Sequence, residues 1–195
     1  MKVIFCKIAW MEYYNGVKNT DKPVDEESWI TEADEIGECN NFTPNEDGNY
    51  YGYVQTKSGR GKNNKLHIDK IEGMSEEDDK AEGVLVIWVA KDPSQNKINI
   101  IGWYKNATVL KKYQYNEDNK EYNIYAKMED CVLLPINKRH KIVPKAGRGG
   151  SSYGMGSSNI WYGKKDDKNA ETYIKNMINY INSYNGDNIA MSSNY

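Results

Sequence analysis

The stretch from Gly83 to Thr108, GVLVIWVAKDPSQNKINIIGWYKNAT, sets the terms for the rest of the chain. Its first half, Val84 to Ala90, is an unbroken apolar run rich in β-branched residues. Such a run reads as a strand covered on both faces. Asp92, Pro93 and Ser94 break it, Gln95, Asn96 and Lys97 continue the turn, and Ile98 to Trp103 returns. Two apolar runs joined by a polar turn predict a hairpin in the middle of a core. The second run is expected to leave that core through Gly102, Trp103, Tyr104, Lys105 and Asn106. Two large rings, a cation and an amide in succession are what a strand end opening on a binding pocket presents.

Other strands are expected around this hairpin. Lys2 to Ala9 alternates as a first strand, followed at once by Trp10, Met11, Tyr13 and Tyr14 and the turn signal Asn15-Gly16. That ring cluster reads either as a plug over the barrel end or as a pocket wall. Val17 to Asn49 is a long polar, acidic excursion with Trp29, Ile30 and Phe42 as isolated anchors, and loops of that length are often functional. Tyr50 to Gln55, Leu66 to Ile71, Thr108 to Leu110, Tyr122 to Ala126 and Cys131 to Leu134 read as further strands. Ala170, Tyr173, Ile174, Met177, Ile178, Ile181 and Tyr184 repeat at helical spacing and predict a closing amphipathic helix, capped by Asp166 or Asp167 and stopped by Gly186. The expected class is α+β, a small twisted β-barrel with a long N-terminal excursion and a C-terminal amphipathic helix. One domain over residues 1–186 is expected, with 187–195 as a polar tail or linker.

Charge is unevenly placed. The formal net charge is -2, so the chain as a whole is no basic nucleic-acid binder. Yet between Asp130 and Asp166 there is no acid, while Lys138, Arg139, Lys141, Lys145, Arg148, Lys164 and Lys165 all fall there. Inside this interval lies Gly147 to Asn159, GRGGSSYGMGSSN. Consecutive free N–H groups in such a loop can form an anion nest; a flexible connector is the alternative. It lacks the Lys-Ser/Thr of a nucleotide P-loop. A second basic loop, with Lys57, Arg60, Lys62 and Lys65, reads as a phosphate contact or as an exposed hairpin tip.

Little points to catalysis. The only histidines, His67 and His140, have no partner at metal-ligand spacing. Cys6, Cys39 and Cys131 are an odd number without metal spacing, as in reduced cytosolic thiols. No nucleophile elbow is present, and the N-terminal stretch is no signal peptide or membrane span. Binding is therefore expected ahead of catalysis, without cofactor or metal. Sixteen Tyr and five Trp against two Phe give many rings a polar edge, which suits pockets; an AT-rich coding sequence would give the same bias.

The segments FCKIAWMEYYNG, YYGYVQ, GVLVIWVAKDP, IIGWYKNATV and GSSNIWY together resemble, over most of residues 1–162, the N-terminal sensor domains that precede HNH-type nucleases or other effectors in bacterial modification-dependent (type IV) restriction proteins. The resemblance implies a PUA-like (EVE- or YTH-like) fold, a cytoplasmic phage-defence setting, and modified double-stranded DNA as partner, with a nuclease or ATPase domain downstream. It implies a modified base flipped into a snug pocket. The candidate pocket residues are Trp10, Tyr14, Trp29, Tyr51, Gln55, Trp103, Tyr104, Asn106, Asn159 and Trp161. Backbone contacts are expected from Arg60, Lys62, Arg139, Lys141, Lys145 and Arg148. Trp88 is expected in the core. The competing reading is a small enzyme or binding protein for a nucleotide-like anion held by the Gly-rich loop 147–159; a module for protein partners is the third.

Overall fold

A computed structural model describes residues 1–24, 37–56, 65–164 and 167–191. Among the described residues, seven strands form one sheet: β1 (Val3–Ile8), β2 (Asn49–Gly52), β3 (Lys80–Asp92), β4 (Lys97–Tyr115), β5 (Glu121–Lys127), β6 (Cys131–Leu133) and β7 (Ile160–Trp161). One α-helix among the described residues, α1 (Lys168–Ser183), accompanies them. The strand order is β2-β5-β4-β3-β1-β7, with β6 also paired to β4. The α+β class is as expected. The sheet is open, with β2 and β7 at its edges, so these strands do not close a barrel.

The β3–β4 hairpin is the centre of the sheet. Asp92 shapes its turn by accepting from the Ser94 N–H at 2.8 Å and the Ser94 hydroxyl at 2.6 Å. From Val84 to Ala90 every side chain of β3 except Leu85, at 6%, is fully enclosed. The cause is cover on both faces. On one face α1 lays Ile174 and Ile181 towards Val3, Phe5, Ile87, Val89, Ile100 and Trp103. On the other, the chain between β1 and β3 supplies Met11, Tyr14, Phe42, Leu66, Ile68 and Ile71 over Ile4, Val86, Trp88 and Tyr104. The long excursion therefore forms the second wall of the core. It also has the length that a parallel crossover needs, because β1 runs parallel to β3, from Val3 opposite Leu85 to Ile8 opposite Ala90.

Three local expectations change. β4 does not leave the core at Gly102; it continues unbroken to Tyr115. Irregularities near Gly83, with φ 68, and Asn106, with φ 50, let it turn from β3 to β5. Leu66 to Ile71 is not a strand but enters a 3-10 turn over Ile68–Lys70, which still buries Leu66, Ile68 and Ile71. Residues 187–191 do not trail off among the described residues. Asn188 accepts from the Leu133 N–H at 3.0 Å and donates to the Cys131 carbonyl at 2.9 Å, and the Ala190 carbonyl takes the Tyr50 hydroxyl at 2.9 Å. The helix start is as read: the Asp167 carboxylate caps it by accepting from the Asn169 N–H at 2.7 Å. No described helix is long and apolar enough to cross a membrane.

Candidate functional site

The rings expected to line one pocket are divided between the two faces of the sheet. Tyr104 and Tyr14 are fully buried on the face covered by the excursion, both against Phe42, at centroid distances of 5.3 and 6.1 Å. Tyr104 donates its hydroxyl to the Asn41 carbonyl, and Tyr14 donates to the Ala9 carbonyl at 2.7 Å. Trp103 is buried on the helix side, edge-on to Tyr184 at 5.2 Å. Trp10 is buried under the same cover as Tyr14. The Trp10–Tyr14 cluster is enclosed in the core, but it covers one face of an open sheet and not the end of a barrel. Trp88 is in the core as expected.

The remaining candidates scatter. Tyr51 is half-buried beside Tyr122, its hydroxyl donating to Asp47 at 2.5 Å. Asn106 is exposed and its amide donates to Asp130 at 3.3 Å. Gln55 and Asn159 do meet, the Asn159 amide donating to the Gln55 carbonyl at 3.2 Å. Trp161 is half-buried, stacked on Phe5 at 4.5 Å and neighboured by Tyr153 and Tyr173. Trp29, Arg60 and Lys62 lie outside the described residues.

Arg139 is the clearest correction. It was expected on a phosphate and is instead 2% exposed. Its Nε donates to the Leu134 carbonyl at 2.8 Å, and its terminal nitrogens donate to the Met11 and Glu12 carbonyls at 2.5 and 2.6 Å. The guanidinium also lies over the Trp10 ring at 5.2 Å. Burial presses its pKa downward, opposed by the neighbouring Tyr14 and Glu12; a guanidinium stays charged regardless. It is a pin between the Trp10–Tyr14 cluster and the 134–139 segment. Lys145 and Arg148 are exposed, and the Lys141 ammonium lies over the Tyr180 ring at 4.8 Å.

The Gly-rich loop folds on itself. The N–H groups of Ala146 and Met155 bond the Met155 and Pro144 carbonyls at 2.9 and 2.8 Å, and Ser151 N–H bonds the Lys145 carbonyl at 2.9 Å. Gly154 has φ 112, and a Cβ there would sit 2.0 Å from the Pro144 carbonyl oxygen, so only glycine fits. Met155 is fully buried in the helix-side core. These amides close the loop rather than forming an open nest.

The structure brings together a site that sequence reading missed. A cleft of about 400 Å³ opens where β1 and β3 end and β4 begins. Lys7, Lys91, Lys97 and Lys145 line it. Ile8 and Val143 are its buried apolar wall, and Val24 and Ile142, 48% and 47% exposed, are its apolar rim. Among the described residues that line it there is no carboxylate. The available signal was strand parity: Lys7 follows Val3 and Phe5, and Lys91 follows Ile87 and Val89, on the helix-bearing face.

No group of three or more His, Cys, Asp or Glu among the described residues could hold a metal ion. Cys6, Cys39 and Cys131 are all buried. Burial, helped by Glu38 and Asp21, pushes the Cys39 thiol up to about 12, and burial likewise raises Cys6 and Cys131. Thiolate is the reactive form. A disulfide reagent at pH 8 is therefore expected to titrate none of the three in native protein and all three after denaturation. The same raised values give a stability that is fully present below the unfolded thiol pKa of about 8.5 and is lost as pH rises towards the folded ones. Urea midpoints at pH 7 and pH 10 check the sign; an unchanged midpoint contradicts it.

No known family model, curated protein or solved structure matches the chain.

Proposed function

We propose that this chain is a DNA-binding module that recognises a modified base and directs a restriction effector to it. The supporting observation is the sign of one stretch. Across 131–164 there is no acid in a chain of net charge -2, while Lys138, Lys145, Arg148 and Lys164 are exposed and Lys141 is half-exposed. Exposed cations without opposing carboxylates supply the salt-dependent part of DNA affinity. With Tyr14, Trp103 and Tyr104 enclosed, Trp161, half-buried and flanked by Tyr153 and Tyr173, is the tryptophan among the described candidates that is left for stacking. The proposal carries with it the PUA-like ancestry that the resemblance implies, and a cytoplasmic setting.

The test is a fluorescence-anisotropy titration of matched duplexes carrying cytosine, 5-methylcytosine, 5-hydroxymethylcytosine, its glucosylated form, adenine or N6-methyladenine. One modified duplex is expected to bind at least tenfold tighter, a gap of about 1.4 kcal/mol. Trp161→Ala should remove that preference before it removes residual binding. Lys138→Ala and Arg148→Ala should each weaken all duplexes alike and lower the salt slope by about 1. Equal binding of every duplex, or none, sinks the proposal.

A further inference from the structure

We propose that the lysine-lined cleft is a binding site for a nucleotide-sized organic phosphate; it shares Lys145 with the basic stretch but draws its other lysines from β1, β3 and β4. The placement is the first argument. β1 and β3 are the parallel pair of this sheet, and the cleft lies beyond their carboxyl ends at Ile8 and Asp92. In open α/β sheets the crevice outside the carboxyl ends of the parallel strands is the ligand site, and this one parallel pair leaves a crevice of the same kind.

The second argument is the two-part lining. Lys7 from β1, Lys91 from β3, Lys97 from β4 and Lys145 from the Gly-rich loop are far apart in sequence and converge on one cavity. The ammonium groups of Lys7, Lys97 and Lys145 around one space repel one another, and a phosphate placed among them relieves that repulsion. Lysine suits this as a point charge that binds phosphate without fixed fork geometry. Next to this cationic part lies an apolar one. Among the described residues Val24 and Ile142 are two of the few large hydrophobic side chains left exposed, and both are on the cleft. A bare inorganic anion gains nothing from them; a ligand with an apolar body does. The volume of about 400 Å³ falls inside the range of roughly 300–1,000 Å³ for small-molecule sites. Asn96, held at φ 58 on the hairpin turn, adds an amide for polar edges.

This also gives the Gly-rich loop a role. Its close backbone approach at Gly154 fixes Pro144, and Pro144, Lys145 and Gly156 all line the cleft. The loop positions a wall and a lysine; it does not itself cradle the anion. The shared chemistry is a nucleoside phosphate, free or carried on a strand.

Isothermal titration calorimetry on the 195-residue chain at low salt tests this with deoxyadenosine 5′-monophosphate, deoxyadenosine, orthophosphate and a 5′-phosphorylated single-stranded hexanucleotide. The monophosphate is expected to bind at least tenfold tighter than either deoxyadenosine or orthophosphate. Lys97→Glu and Ile142→Asp, both at exposed or half-exposed positions, should each weaken it at least tenfold, while Lys175→Glu on the outer face of α1 leaves it unchanged. Binding of the free monophosphate alone identifies a metabolite as the source; equal binding of the hexanucleotide identifies a strand. Orthophosphate binding as tightly as the monophosphate, no monophosphate binding, or two inert cleft variants each overturn the inference. The DNA proposal is decided separately by the modified duplexes, so either can fail alone.

Discussion

Arg139→Ala is expected to remove about 4 kcal/mol of folding stability, the sum of unmet acceptors and lost ring contact. The guanidinium donates to three main-chain carbonyls, Leu134, Met11 and Glu12, from segments more than 120 residues apart in sequence. Alanine leaves the buried carbonyls without a donor and removes the cation from over Trp10 and Tyr14. Each buried unmet acceptor costs about 1–3 kcal/mol, and the cation–π contact adds about 1 kcal/mol or more when desolvated. Against a typical total of about 5–15 kcal/mol, that is a large share. Arg139→Lys keeps the charge but offers a compact ammonium that cannot span three carbonyls, so it should recover only part of the loss. Urea denaturation reads both variants. A change below about 1 kcal/mol for Arg139→Ala would mean that the Trp10–Tyr14 cluster is not held by this residue. Where the expected destabilisation is found, a loss of DNA binding in this variant is to be read as loss of fold.

Where signals were local, the fold was legible. The β3–β4 hairpin followed from an apolar run, a polar turn and a second run, and α1 from a stripe at helical spacing with Asp167 before it. Leu66 to Ile71 failed because Leu66, Ile68 and Ile71 bury equally well from a strand or from a tight turn. Barrel closure failed because it depends on whether β2 and β7 meet, a long-range pairing that no local pattern encodes. The candidate pocket failed for a chemical reason. Tyr was read as a ring with a polar edge turned to a ligand, but Tyr14 and Tyr104 spend that edge on the carbonyls of Ala9 and Asn41 inside the core. Arg139 sits among Lys138, Lys141 and Lys145 with nothing in the sequence to mark it as the buried one. The cleft escaped notice because Lys7, Lys91, Lys97 and Lys145 meet only once β1 pairs parallel to β3 and the Gly-rich loop folds back.

Trp103→Ala is expected to lower stability by about 3–5 kcal/mol, the cost of emptying a large aromatic site in a core. Trp103 is 1% exposed, with Tyr180 and Tyr184 edge-on at 6.0 and 5.2 Å. Those two rings belong to the C-terminal half of α1 and its cap, so the indole fastens the helix to β4. Removing it leaves a cavity that the flanking Gly102 cannot help to fill: a Cβ there would meet the Val132 carbonyl oxygen at 2.4 Å. Trp103→Phe separates packing from ligand contact. It keeps a ring against Tyr180 and Tyr184, and it removes an indole N–H that is buried without an acceptor among the described residues. The unmet donor costs about 1–3 kcal/mol in the parent, so its removal offsets part of the smaller ring's packing loss. The expected order of stability is wild type, then Trp103→Phe within about 2 kcal/mol, then Trp103→Ala. Thermal and urea unfolding give that order, and the Trp103→Phe variant should keep whatever duplex preference the wild type shows. If Trp103→Ala unfolds with the wild-type midpoint while its duplex preference vanishes, the side chain faces a ligand, and the enclosed packing described for it is wrong.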